Sequence, residues 1–278
     1  MRDVSAPEPR SETLSTVHKC FEVLELINIT GSISIPEAMR HLNLPRTTMT
    51  RIVRTLEQRG YVEREAHRYT LTPGVNRLSH RYSATCAPLA ELKHILMKEA
   101  RTFMWPMQLV LPHADAMYTY LPTDTLTPYK FNAIPAGTRV PYLGTAAGGC
   151  YLAYCAAEEQ SMIFRLCAED AAERDISLQD VRRDIEAAQA RGYLLKHTAS
   201  MLSKTRRDID KRQFIVSVPV MATGRVVGSL TGRVMVAAIT KSEIASNIGP
   251  RLKDIAHKLG ATWDNALVEI HRPAVAAE

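Results

Sequence analysis

Up to Gln58 the apolar residues recur at helical spacing; beyond Gly60 they alternate, and beyond Trp105 stretches of both kinds follow one another. Leu14, Val17, Phe21, Leu24 and Ile27/Ile29 predict a first helix over Thr13–Ile29, with Ser15 or Thr16 placed to cap it. Gly31 breaks this helix, and Ser34 with Glu37 has the form of a capping box opening a second, short one. A tight turn at Asn43-Leu44-Pro45 leads to a third helix, Arg46 to about Gln58, closed by Gly60. Its apolar face is Met49, Ile52, Val53 and Leu56; the other face carries Arg46, Thr47, Thr50, Arg51 and Arg54, and Thr48 joins them among the residues expected at DNA. Tyr61–Arg64 and Arg68–Leu71 then alternate around a turn near Ala66-His67, the pattern of a small hairpin. Three helices followed by a hairpin is the order of a winged helix-turn-helix, with Arg64, His67 and Arg68 at the wing tip.

Thr72-Pro73-Gly74 punctuates the chain, and Val75–Ser83 predicts a short linking helix. After Pro88 comes a long amphipathic helix, Leu89 to about Phe103, and then strands over Met107–Leu111, Ala116–Leu121 and Tyr129–Ile134. A Gly/Ala-rich turn enters an apolar helix ending near Ala156, followed by helices over Glu158–Cys167 and Leu178–Arg191, the latter closed by Gly192. Strands Phe214–Met221 and Arg225–Val236 meet at Thr223-Gly224, and a helix from about Lys241 to His271 ends the pattern. Hairpin-type links between strands imply an α+β second domain built on a largely antiparallel sheet flanked by helices, not a doubly wound parallel one. The expected organisation is a disordered tail at 1–12, a winged helix-turn-helix domain at 13–72, a linker helix at 73–87, a second domain at 88–271 and a tail at 272–278.

Charge sharpens this picture. The formal net charge is +6, and the segment from Arg40 to Arg81 holds nine arginines, no lysine and three acids, which accounts for the whole excess. Concentrated positive charge gives affinity for a polyanion through counterion release, and arginine grips phosphate and guanine with paired hydrogen bonds. Duplex DNA is therefore the expected partner of the third helix. The five cysteines (Cys20, Cys86, Cys150, Cys155, Cys167) form no C-x-x-C pair and fit buried thiols in a reducing cytoplasm, with neither a metal site nor a cofactor implied. No apolar run approaches the roughly 18–20 residues that span a bilayer, and the polar start MRDVSAPEPRSE has the character of neither a signal peptide nor an anchor. The chain lacks G-x-S-x-G, H-E-x-x-H and P-loop signatures, which argues against an enzyme.

Four motifs together resemble the IclR (isocitrate lyase regulator) family of bacterial transcription regulators. They are LPRTTMTRIVRTLEQRGYV at 44–62, R-Y-x-L-T-x-G at 68–74, R-x-P-x-L-G-T-A-A-G at 139–148 and S-V-P-V with G-R-V-V-G-S-L at 217–230. The resemblance covers about residues 13 to 270. It implies a winged domain on double-stranded operator DNA, a GAF/PAS-like second domain binding a small organic or aromatic acid, and a homodimer or dimer of dimers. RNA polymerase would be a further partner of an activator. Trp105-Pro106 and the T-A-A-G form of the third motif are similar to the branch controlling aromatic-acid catabolism. The chain departs from the family at Thr231-Gly232-Arg233, where a polar S-x-S pattern is common, at Ile215 and across Thr205–Lys211.

Within the second domain, Thr145 is placed to cap the helix after Gly144, and free N–H groups there would seat a carboxylate beside the small residues Ala146, Ala147 and Gly148. Ser229, Thr231 and Arg233 share one face of a strand, with Ser217 on its neighbour, and Arg233 would pair with a ligand carboxylate if that face is the inner one. Trp105, Met107, Tyr118, Tyr120, Tyr142 and Leu143 are the expected apolar or aromatic walls. The alternative is a DNA-binding protein whose second domain only dimerises.

Overall fold

The computed structural model describes residues 14–79, 89–129, 131, 133–197 and 213–270. The tails, the second half of the linker and the 205–211 segment lie outside these residues. The chain divides into two compact units, Met1–Thr85 and Cys86–Glu278.

In the first unit, α1 (Ser15–Thr30), α2 (Ile35–Leu42) and α3 (Arg46–Gln58) precede a two-stranded antiparallel hairpin of β1 (Val62–Glu65) and β2 (Arg68–Leu71). Ser34 Oγ accepts from the Glu37 amide at 3.4 Å and Glu37 Oε2 accepts from the Ser34 amide at 2.9 Å, so the expected capping box opens α2. Asn43 ends α2 in the left-handed region at φ 50°, and Pro45 enters α3. Met49, Ile52, Val53 and Leu56 are all buried, packed with Val23, Ile27, Ile33, Val62 and Tyr69. The first helix corrects the sequence reading on two counts. Leu14, Val17, Phe21 and Ile29 are exposed, because α1 packs along Cys20, Val23, Leu24 and Ile27, a stripe turned about one residue around the axis. Its N-cap position is Leu14, with no side-chain cap from Ser15 or Thr16. Beyond the hairpin, the start of the expected linker helix is a 3-10 helix, Pro73–Leu78.

The second unit is α+β. Its sheet has six antiparallel strands: β3 (Met107–His113), β4 (Ala116–Pro122), β5 (Arg139–Pro141), β6 (Leu194–His197), β7 (Gln213–Ala222) and β8 (Arg225–Met235), ordered β5-β4-β3-β8-β7-β6. Both edges are short strands, which limits edge-to-edge pairing. Thr223 and Gly224 both take positive φ, 50° and 75°, the two-residue hairpin loop whose twist matches β7 and β8. One face packs Phe214, Val216, Val218, Leu230 and Val234 against α4 (Leu89–Phe103) and the last helix. The other face is covered by α5 (Ala146–Leu152), α6 (Ala157–Leu166), α7 (Ala168–Glu173) and α8 (Leu178–Arg191) around a second core that includes Tyr142, Leu143, Cys150 and Leu152.

Four expectations change here. Tyr129–Ile134 forms no strand among its described residues: Tyr129 stacks on Trp105 at 4.4 Å and Phe131 meets Trp105 edge-on at 6.2 Å, so these side chains wrap the core instead of pairing a backbone. The helix expected to reach Ala156 stops at Leu152. The four-residue strand β6 is new, too short to show alternation in the sequence. The last helix is interrupted: a turn at Lys241–Glu243 and a π-helix at Ile244–Ile248 precede α9 (Gly249–Ile270).

Candidate functional site: an arginine-bearing helix and a buried cavity

On α3, Arg46, Thr47, Arg51 and Arg54 are exposed and Thr48 and Thr50 half-buried. The helix buries its apolar side fully, so nothing in the core claims the guanidinium groups. At a rise of about 1.5 Å and about 3.6 residues per turn, Thr47, Arg51 and Arg54 follow one another along one face, each roughly one turn above the last. This is the geometry that suits a recognition helix in a major groove.

The wing residues separate. His67 is exposed at the loop, where Ala66 takes φ 52°. Arg64 Nε donates to the Ala66 carbonyl at 2.9 Å, and its guanidinium lies 6.0 Å from the Tyr69 ring centre. Arg68, expected at the DNA, is instead committed within the fold. Its Nε donates to Ser32 Oγ and its Nη2 to the Ser32 carbonyl, both at 2.9 Å, and its Nη1 lies 3.1 Å from Glu37 Oε2. These contacts pin β2 to the segment before α2, and they help hold the Glu37 carboxyl down to about 2, with the Ser34 backbone and hydroxyl bonds the larger cause. Arg77, just past the hairpin, likewise donates to the Arg59 carbonyl at 2.8 Å and covers the Tyr61 ring.

In the second unit a cavity of about 90 Å³ lies between the sheet and the start of α5. That is several times the roughly 10–15 Å³ that holds one water, room for a small organic molecule. Thr145, Ala146 and Ala147 line it from α5, Thr231 and Arg233 from β8, and Arg139, Val140 and Pro141 from β5. Gln108 and Val110 of β3, Ile215 of β7, and Ile134 and Thr138 of the loop before β5 complete it. Thr145 caps α5 as expected, accepting from the Gly148 amide at 2.9 Å while donating to the Pro141 carbonyl at 2.6 Å. With only seven residues, α5 offers the cavity local amides more than a strong dipole.

Ser229, Thr231 and Arg233 do share the α5-side face of β8, because Leu230 and Val234 point to the opposite core and Gly232 lies against Leu252. Arg233 is nevertheless not a free counter-ion. It is 3% exposed, forms an ion pair with Asp124, and lies 5.2 Å from the Phe131 ring centre. Burial pulls its pKa down to about 10, so the group stays charged at neutral pH. Ser217 and Thr231, opposite each other on β7 and β8, share a 2.6 Å hydrogen bond, and Ser229 donates to the Ala147 carbonyl at 2.9 Å. Ser217 and Ser229 thus brace the wall from behind.

The expected aromatic walls are elsewhere. Trp105 and Met107 pack into the core beneath α4 and α9; Met107 points away from Gln108 by strand alternation. Tyr142 and Leu143 are buried in the second core under α5. Tyr118 packs edge-on to His113 at 6.0 Å, and Tyr120 packs against the first core. Gly148 serves packing and not ligand approach: a Cβ there would lie 2.1 Å from the Tyr142 carbonyl oxygen. Gln108 was missed, although one amide inside the apolar run Met107–Leu111 is a readable signal. Cys150 is buried and its thiol pKa is raised by that burial, unsuited to a nucleophile.

Residues 16–66 match the IclR helix-turn-helix domain. Solved structures share the fold. The IclR protein of Thermotoga maritima is 17% identical, with TM-score 0.58 over 88% of this chain and 98% of that one. An IclR transcriptional regulator from Alicyclobacillus acidocaldarius is 20% identical, with TM-score 0.57 over 90% and 99%. An IclR-family transcriptional regulator from Brucella abortus is 18% identical, with TM-score 0.54 over 90% and 93%. Residues 16–66 of the first unit are thus similar to an IclR helix-turn-helix domain, and the chain shares its fold with these solved IclR structures. Among the described residues no helix is long and apolar enough to cross a membrane.

Proposed function

We propose that this protein is a cytoplasmic transcription regulator that holds operator DNA through α3 and senses a small, mostly apolar organic acid, aromatic in kind, in the cavity of its sheet domain. The observation that carries the DNA half is the exposed Arg46, Arg51 and Arg54 set on an IclR helix-turn-helix domain whose core needs none of them. Two copies would set two α3 helices into major-groove faces about one helical turn, roughly 34 Å, apart on a near-palindromic site. Ligand binding would change the spacing of the two readers and so couple a catabolic operon to its substrate, as a dimer or pair of dimers. RNA polymerase is the further partner if the output is activation.

Gel retention of the protein's own promoter fragment across a salt series tests the DNA half. Retention that falls steeply with salt supports it; absence of retention overturns it. A thermal-shift screen with small aromatic and keto acids tests the sensing half. Stabilisation supports a sensor, and no shift with any acid leaves the second unit a dimerisation role alone.

A further inference from the structure

We infer that Gln108 reads the ligand of this cavity, its Nε2 donating to an acceptor oxygen, carbonyl or carboxylate, on a compact and otherwise apolar molecule. The inference rests on the sensing reading above and narrows it to one contact.

Gln108 is 4% exposed, lines the cavity, and stands opposite Thr231 in the β3–β8 register. Its Oε1 accepts from the buried Thr119 hydroxyl at 3.4 Å. Its Nε2 is buried with no protein hydrogen-bond partner. Buried amide donors are almost always paired, because the donor has given up water and gains nothing in return. The neighbouring polar groups are satisfied: Thr231 by Ser217, Ser229 by the Ala147 carbonyl, Thr145 by Pro141 and Gly148. The charge of Arg233 is met by Asp124 and that of Arg139 by Asp115, the latter at 2.8 Å. The cavity thus presents a directed neutral donor among apolar groups and polar ones that already have partners, which selects for one acceptor oxygen more than for a bare charge. A site built to hydrogen-bond a ligand oxygen rejects the analogue lacking it, since the donor is then left unpaired.

Calorimetry and thermal shift on the full chain test this with benzoate, acetophenone and ethylbenzene: a carboxylate, a neutral carbonyl and a control without an acceptor. In the wild type, benzoate or acetophenone should bind on the order of tenfold tighter than ethylbenzene, and whichever of the two binds tighter assigns the oxygen as carboxylate or carbonyl. Gln108→Leu should erase that preference while leaving ethylbenzene binding unchanged. Gln108→Glu should weaken benzoate more than acetophenone. Wild-type binding of the acceptor ligands retained undiminished in Gln108→Leu overturns the Gln108 assignment and leaves the sensor standing, as does tightest binding of ethylbenzene. No binding of any probe by the wild type overturns the sensor reading and this inference with it.

Discussion

On α3 the arginines stand in solvent above four buried apolar residues, whereas on β8 Arg233 lies inside the fold beside Asp124. The first arrangement separates stability from function. The helix is held by Met49, Ile52, Val53 and Leu56, so its charges are available to a partner and changing them barely touches the core. The second arrangement merges the two. A buried guanidinium and carboxylate must satisfy each other before either can serve a ligand, and removing one strands the other. In the helical unit, then, the charged groups stand on the outer surface, and in the sheet unit they are met inside the fold.

The largest expected effect breaks the interior side of this contrast. Arg233→Leu leaves Asp124 buried without its counter-ion and should cost about 3–5 kcal/mol in a denaturant titration, while the double variant Arg233→Leu/Asp124→Leu should recover most of that loss. A single variant as stable as the wild type would mean that Asp124 finds another partner and that the pair is not a structural unit. On the exterior side, Arg51→Ala or Arg54→Ala should leave the melting temperature within a degree or two, as a surface change does, yet cost about 1–3 kcal/mol in operator binding if the side chain reads a base. Equal losses on operator and random DNA, with a shallower salt dependence, would assign a phosphate contact instead.

Smaller effects sharpen how the helical unit is held. Ser34→Ala removes the capping box of α2 and should lower stability by about 1 kcal/mol, seen as a lower denaturant midpoint with an unchanged slope. Glu37 gives the smallest effect and a pH signature. Its carboxyl is held at about 2 against an ordinary 4.5, a depressed folded value, so its contribution is present above about 4.5 and is lost as pH falls from there toward 2. Glu37→Gln should lower stability at neutral pH and flatten the profile in that acid window, so that the two proteins converge as pH falls toward 2. A profile identical in both proteins would mean that the Ser34 and Arg68 contacts do not hold the Glu37 carboxylate.

Much of the helical unit was legible in the sequence because its determinants are local. A capping box, a Pro after the turn and a helical apolar period each act within a few residues, and α2, α3 and the hairpin follow from them. The first helix shows the limit. Its two candidate apolar stripes differ by one residue of rotation, and only the position of α3 decides which one is buried. The sheet unit was legible in its longer strands and in the Thr145 cap, but its cavity was not. Strand alternation put Ser229, Thr231 and Arg233 on one face, yet alternation says nothing about what lies across from them.

Sequence by itself therefore determined where the positive charge collects, which helix carries it, and which strands alternate, since these depend on period and composition along a single stretch of chain. Only the tertiary structure decided that Arg68 braces the wing, that Asp124 meets Arg233 from a distant part of the chain, and that Gln108 has a donor without a partner. The physical reason is range. Propensity, capping and periodicity act between neighbours in the chain, whereas ion pairing, burial and hydrogen-bond satisfaction are settled between groups that come together only when the sheet closes over its helices.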